Sequence, residues 1–159
     1  MAAFINHYSF LLLAAAAGVV LLIFLSRNGI DTGDLMALLS FTVGITFALV
    51  TFNPGASDIS NYSQFQSALE AEGHLLLEIQ SPYCLACAAA KPSVDRLEDS
   101  NPQLEIIRVN IQDPVGQQIS REFQSRVTPT FLLFDPDGEA VLRTFGALDS
   151  RSIQAELED

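Results

Sequence analysis

The sequence predicts an α/β fold, with a mixed central sheet flanked by helices, preceded by a two-helix transmembrane hairpin. Three observations carry this reading. Asp, Glu, Lys and Arg are absent from Met1 to Ser26 and again from Leu35 to Phe52. Beyond residue 60, short apolar runs of strand length alternate with segments of helical spacing. Near the C-terminus, Asp135-Pro136-Asp137-Gly138 is a strong turn sequence between two strand-like runs.

The chain has 159 residues, 19 acidic against 8 basic, and a net charge of −11. Its mean hydropathy is nevertheless positive. Position explains the pairing. With Arg27, Asp31 and Asp34 set aside, 17 acidic and 7 basic residues follow from Asn53 onward. An apolar third therefore precedes an acidic two-thirds. The acidic balance excludes a nucleic-acid binder, which needs a basic surface. Two cysteines form at most one bridge, so a disulfide-stapled miniprotein is excluded too. The apolar periodicities exclude a purely disordered acidic chain.

Residues 1–53 read as the hairpin, with spans at about 4–26 and 35–52. A bilayer-spanning helix needs about 20 apolar residues. A short polar turn from Ser26 to Asp34 joins the spans, and Asn53-Pro54-Gly55 ends the second, because Pro54 cannot continue a helix. Small residues four apart, Ala14 with Gly18 and Ser40 with Gly44, would permit close helix approach. The alternatives are a cleaved signal peptide for the first stretch and a buried core helix for the second. The first lacks the basic region of a signal peptide, and the second has no polar stripe. Arg27 lies in the turn, which favours a cytoplasmic turn and an exoplasmic C-terminal domain. The absence of Lys and Arg from Asn53 to Ala90 agrees with export. The cytoplasmic side stays open as the alternative.

Residues 54–60 read as a linker and 61–159 as the α/β domain. Asn61 to Gly73 has helical spacing, with Phe65, Ala68 and Leu69 on one face and Gly73 as a stop. His74 to Gln80 is a short apolar run, expected as a buried strand. Ala86 to Asp99 is a helix interrupted by Pro92, and Leu104 to Ile111 a strand. Pro114 to Ser125 is a helix with Val115, Ile119 and Phe123 on one stripe. Thr130 to Phe134 and Glu139 to Phe145 are strands paired through the turn, and Ser152 to Leu157 is a last short helix. Alternating strands and helices imply a parallel part of the sheet, and the closing hairpin adds an antiparallel edge.

Both cysteines fall in Cys84-Leu85-Ala86-Cys87, between an expected strand and an expected helix. There Cys84 would face the free N–H groups and positive end of the helix, which stabilise a thiolate. The thiolate, not the thiol, attacks disulfides. Two intervening residues let Cys87 reach Cys84 across one helical turn. The arrangement suits attack by Cys84, a mixed disulfide, and resolution by Cys87. A zinc site would need two more ligands, and His7 and His74 stand apart, so no metal is expected. A structural disulfide closing so short a loop would stabilise little. Asn61-Tyr62-Ser63 is a glycosylation sequon with meaning only in a secretory pathway.

Residues 58 to 159 resemble thioredoxin. Tyr83-Cys84-Leu85-Ala86-Cys87 resembles the family's Trp-Cys-Gly-Pro-Cys, and Pro92 matches the proline that kinks its active-site helix. Glu78 falls where the family carries a buried acid, and Arg108 where it carries a basic partner. Val127-Thr128-Pro129-Thr130 resembles the cis-proline loop, and Gly146-Ala147-Leu148 the glycine turn before the last helix. The resemblance implies a thioredoxin-like fold with no cofactor beyond a redox-active Cys84–Cys87 disulfide. It implies that Thr128 and Pro129, with Tyr83, contact an extended substrate chain by strand addition. Glu78, its pKa raised by burial and opposed by Arg108, would take the proton of Cys87. A plain structural ion pair is the competing role for Glu78 and Arg108.

Tyr83 replaces the usual tryptophan, Leu85-Ala86 replaces Gly-Pro, and Ala88 replaces a common lysine. These departures leave reductase, oxidase and isomerase roles open. The resulting expectation is a membrane-tethered thiol–disulfide oxidoreductase. Its partners would be protein disulfides or thiols, the lipid bilayer, and a separate electron donor on the same side. That donor is needed because neither apolar stretch contains a cysteine to relay electrons. The rival is a non-catalytic thioredoxin-fold module that binds or holds partners at the membrane.

Overall fold

A hydrophobic strand buried on both faces organises the domain. The computed structural model describes residues 2–27, 31–51 and 55–158. Asn28-Gly29-Ile30 of the expected turn, and Phe52-Asn53-Pro54 of the expected helix stop, lie outside them. The elements are α1 (Ala2–His7), α2 (Ser9–Leu25), α3 (Thr32–Thr51), α4 (Tyr62–Leu69), β1 (Leu75–Gln80), α5 (Leu85–Ser100), β2 (Glu105–Asn110), α6 (Pro114–Glu122), β3 (Thr130–Phe134), β4 (Ala140–Phe145) and α7 (Ser150–Leu157). From α4 onward their order is the one the sequence predicts.

The sheet runs β2-β1-β3-β4. β1 pairs parallel with β2, and antiparallel pairs join β1 to β3 and β3 to β4. All six residues of β1 are buried, as a near-continuous apolar run requires when both sheet faces are covered. Side chains alternate along the strand. Leu75, Leu77 and Ile79 join Phe65 of α4 and Val115 and Ile119 of α6 in one core. Leu76 joins Ala90, Val94 and Leu97 of α5 and Ile153 of α7 in the other. Phe65, fully buried, meets Phe123 and Phe134 edge-on at 5.8 and 5.9 Å between ring centres.

Local chemistry sets the element ends. Asn61, the sequon residue, caps α4 by accepting from Gln64 N–H at 3.1 Å. Asp135 Oδ1 accepts from the N–H groups of Asp137 and Glu139, closing the β3–β4 turn. Gly138 in that turn has φ of +77°, as does Gly146, conformations that glycine adopts without a Cβ clash. Gly146 N–H donates to Pro129 O at 2.9 Å and so ties the end of β4 to the loop before β3. Pro92 sits within α5, which continues through it.

The segment read as a linker is held against the β2 edge. Ser57 Oγ donates to Asp113 Oδ2 at 2.7 Å and accepts from Asn110 N–H at 2.8 Å. Asp58 exchanges bonds with the Arg108 backbone.

The first apolar stretch is divided. α1 ends at His7, Tyr8 stands between, and α2 begins at Ser9. α3 is long and apolar enough to cross a membrane, and α2 is an apolar helix of 17 residues. Neither buries a single residue. Gly18 approaches Phe41, where an added Cβ would stand 3.4 Å from the ring, whereas a Cβ on Gly44 would meet nothing within 4 Å. Of the two glycines in the small-residue pairs, Gly18 alone lies at the helix contact.

Candidate active site

β1 ends at Gln80, and the chain turns through Ser81-Pro82-Tyr83 into α5. Cys84 is the N-cap of that helix, in extended conformation, and its Sγ accepts from Cys87 N–H at 3.3 Å. This is the position at which a helix offers unsatisfied N–H groups and positive potential. Cys84 Sγ also lies 3.2 Å from Thr128 O. Both cysteines are free and buried, Cys84 at 3% exposure and Cys87 at 1%.

Their acidities diverge. The hydrogen bond from Cys87 lowers the Cys84 pKa to about 6, with help from Thr128 and the backbone N–H groups of Cys87 and Ala86, against the effect of burial. Burial and the neighbouring Cys84 push the Cys87 thiol up instead. One cysteine is thus prepared as a thiolate near neutral pH, while the other stays protonated.

Glu78 and Arg108 are direct partners in the parallel β1–β2 register. Arg108 Nε lies 3.5 Å from Glu78 Oε2, and its Nη2 reaches Asp95 at 3.1 Å and Glu98 at 2.7 Å on α5. Glu78 is 1% exposed, and burial raises its pKa to about 7 despite Arg108. Burial weakens the charge of Arg108, but Glu98, Glu78 and Asp95 together hold its pKa above the ordinary guanidinium value. Arg108 is therefore shared among three carboxylates rather than reserved for Glu78.

Thr128 is buried and joined to Pro129 by a cis peptide bond. Thr130 Oγ1 donates to Val127 O at 2.7 Å and Ser125 Oγ to Thr130 Oγ1 at 2.6 Å, which frames the loop from behind. Cys84, Cys87, Tyr83, Thr128 and Pro129 come together at the start of α5. Glu78 and Arg108 stand along the strands, facing α5.

The site also holds residues that sequence reasoning missed. Asn6 bonds to Thr128, Tyr8 stacks on Tyr83, and Ser9 and Phe10 bond to Leu85 and Tyr83. Their signal was the cluster Asn6-His7-Tyr8-Ser9, which interrupts an otherwise apolar stretch. Among the described residues, no group of three or more His, Cys, Asp or Glu is placed to hold a metal.

A Cys-x-x-Cys pair capping a helix beside a cis-proline loop, on a mixed four-stranded sheet, defines a thiol–disulfide type of site on an α/β domain. The thioredoxin-like domain model matches residues 62–159, and the chain belongs to that family. It is 29% identical over 90 residues to thioredoxin-2 of Pyricularia oryzae, covering 57% of this chain and about half, 51%, of that protein. It is 26% identical over 102 residues to thioredoxin of Pseudomonas aeruginosa, covering 64% of this chain and 92% of that protein. Among solved structures, thioredoxin from Trypanosoma brucei brucei aligns with a TM-score of 0.59 at 14% identity, covering 67% of this chain and 95% of that one. Oxidised mitochondrial thioredoxin 3 from Saccharomyces cerevisiae aligns at 0.56 and 18%, covering 68% and 98%. These structural likenesses establish the fold. The relatives are consistent with thiol–disulfide oxidoreductase chemistry in general. Proteins of this fold need no cofactor, because the redox-active disulfide is part of the chain.

Proposed function

We propose that this chain is a membrane-tethered thiol–disulfide oxidoreductase. The observation that carries the reading is the unequal cysteine pair: Cys84 at the helix N-cap with its pKa lowered to about 6, and Cys87 buried and protonated three residues on. The Cys84 thiolate attacks one sulfur of a substrate disulfide, and the other sulfur leaves as a thiolate. Cys87 then loses its proton, with Glu78 as acceptor and Arg108 as the positioning partner of Glu78. Its sulfur attacks Cys84 Sγ, the mixed disulfide breaks, and the two substrate thiolates take up protons from Glu78 and from solvent. The chain is left with a Cys84–Cys87 disulfide, having given up two electrons. A separate dithiol protein on the same side returns them. Thr128, Pro129 and Tyr83 contact the substrate chain.

Residues 1–53 form the tether, 54–60 the connection and 61–159 the redox domain. The wholly unburied apolar surfaces of α2 and α3 support insertion, since soluble domains rarely expose such large apolar areas. Arg27 supports a cytoplasmic turn and an exoplasmic domain.

The full chain in detergent should reduce insulin with dithiothreitol as donor, and Cys84→Ser should fall to the buffer rate. In membranes, Cys87→Ser should accumulate mixed disulfides through Cys84. Insulin reduction no faster than buffer would favour the binding-module reading. Protease added to right-side-out vesicles should cut the domain; cutting only after lysis would reverse the orientation.

A further inference from the structure

A chain that presents a disulfide to Cys84 must lie along the backbone edge next to the sulfur. That edge is Thr128, whose carbonyl is 3.2 Å from Cys84 Sγ. Its polar groups are already taken. Asn6 Oδ1 accepts from Thr128 N–H at 2.6 Å, and Asn6 Nδ2 donates to Thr128 O at 2.9 Å. A carboxamide carries the same donor and acceptor as a peptide unit, so Asn6 reproduces the reciprocal pair that one residue of an antiparallel strand would make. Thr128 Oγ1 also donates to Asn6 Oδ1, at 3.1 Å.

The contacts continue along the segment. Ser81 Oγ donates to His7 O at 2.9 Å, Leu85 N–H to Ser9 Oγ at 3.1 Å, and Phe10 N–H to Tyr83 O at 3.0 Å. Tyr8 stacks on Tyr83 with ring centres 5.8 Å apart and planes 17° from parallel. Leu85 N–H belongs to the first turn of α5, so Ser9 occupies one of the helix donors beside the nucleophile. Phe10 of α2, Ala48 and Leu49 of α3, and Cys84 line one small cavity. Each of residues 6 to 10 thus contacts the site, at Thr128, Ser81, Tyr83 or Leu85, and Cys84 is covered.

We infer that the segment from Asn6 to Phe10 is a built-in occupant of the substrate groove, an intramolecular competitor that a disulfide-bearing chain must displace before Cys84 can attack. The inference rests on the proposed thiol–disulfide reading of the site. Because the occupant belongs to the same chain, it acts at fixed effective concentration. It raises the apparent KM by the reciprocal of the fraction of molecules open and leaves the saturated rate unchanged.

The test uses the reduced full chain in detergent micelles. Asn6→Ala removes both bonds to the Thr128 backbone. It should lower KM for insulin roughly fivefold or more, with kcat unchanged, given about two- to tenfold per hydrogen bond. Alkylation of Cys84 by iodoacetamide should accelerate by a similar factor. Unchanged KM and unchanged alkylation would overturn the inference, as would a loss of kcat. Faster alkylation in a chain that reduces no insulin, wild type or variant, would uphold the occupant and overturn the oxidoreductase reading. A second variant guards against misfolding at position 6: Asn6→Cys in the Cys87→Ser background, oxidised with diamide. It should close a disulfide to Cys84 within one chain, and two free thiols after oxidation would overturn the inference.

Discussion

β1 and α3 are both apolar, yet every residue of the strand is buried and none of the helix is. β1 lies between two layers of its own domain, with Leu77 at 0% exposure. α3 turns Leu35, Met36, Val43, Phe47 and Val50 outward, each more than half exposed. Under the proposed membrane tether, the same side-chain chemistry serves two solvents. In β1 it is satisfied by neighbouring residues, and in α3 it requires a surrounding that the chain itself does not supply. Apolar content says that a segment avoids water; its neighbours decide what replaces the water.

This difference can be broken by the same change in each place. Leu77→Asp puts an unpaired carboxylate in the core at a cost of several kcal/mol, a large part of a domain's margin. The redox domain should lose its cooperative melting transition. Val43→Asp, near the middle of α3, should leave that transition in place. It should weaken membrane insertion by about 3–4 kcal/mol, read as release of the chain into the soluble fraction. Equal melting loss in both variants would show α3 to be part of the domain's core.

A third, smaller effect sharpens what burial does to a polar group in β1. Glu78 has its pKa raised from 4.5 to about 7, chiefly by desolvation. A raised carboxyl favours the folded state in its protonated form. Its contribution is full below the unfolded value near 4.5 and is lost as pH rises through about 7. Wild-type stability should therefore fall across that window by up to about 3 kcal/mol, and Glu78→Gln should flatten the fall. Denaturant midpoints between pH 4 and 8 measure it. In the same variant, resolution of the mixed disulfide by Cys87 should slow roughly 100-fold, the usual scale for losing a positioned base. An unchanged resolution rate would leave Glu78 and Arg108 as a structural pair.

Most of the domain was legible because its signals are local. The turn at Asp135–Gly138, the Cys84–Cys87 spacing and the short buried run before it each sit within a few residues of what they specify. Glu78 and Arg108 were paired by resemblance, and the parallel register places them side by side. The sharing of Arg108 with Asp95 and Glu98 was not legible, because it depends on how α5 packs across the sheet. Nor was the pinning of Ser57 and Asp58 to β2, since a short Gly-, Ser- and Asp-containing stretch reads as a linker until its partners are known. The largest omission was the N-terminal segment. Hydropathy averaged over a membrane-length window absorbs Asn6, His7, Tyr8 and Ser9 into one apolar run. Their partners, Thr128 and Ser81 to Leu85, lie more than 70 residues away.

The unequal cysteines remain the centre of the functional reading, and the pH dependence of Cys84 alkylation in the reduced full chain tests them most directly. Peptide mass after iodoacetamide distinguishes the two thiols. Modification of Cys84 should follow a single titration with its midpoint near pH 6, while Cys87 stays unmodified across the range. A Cys84 midpoint near 9, the value of an ordinary thiol, would contradict the activated nucleophile and the mechanism built on it.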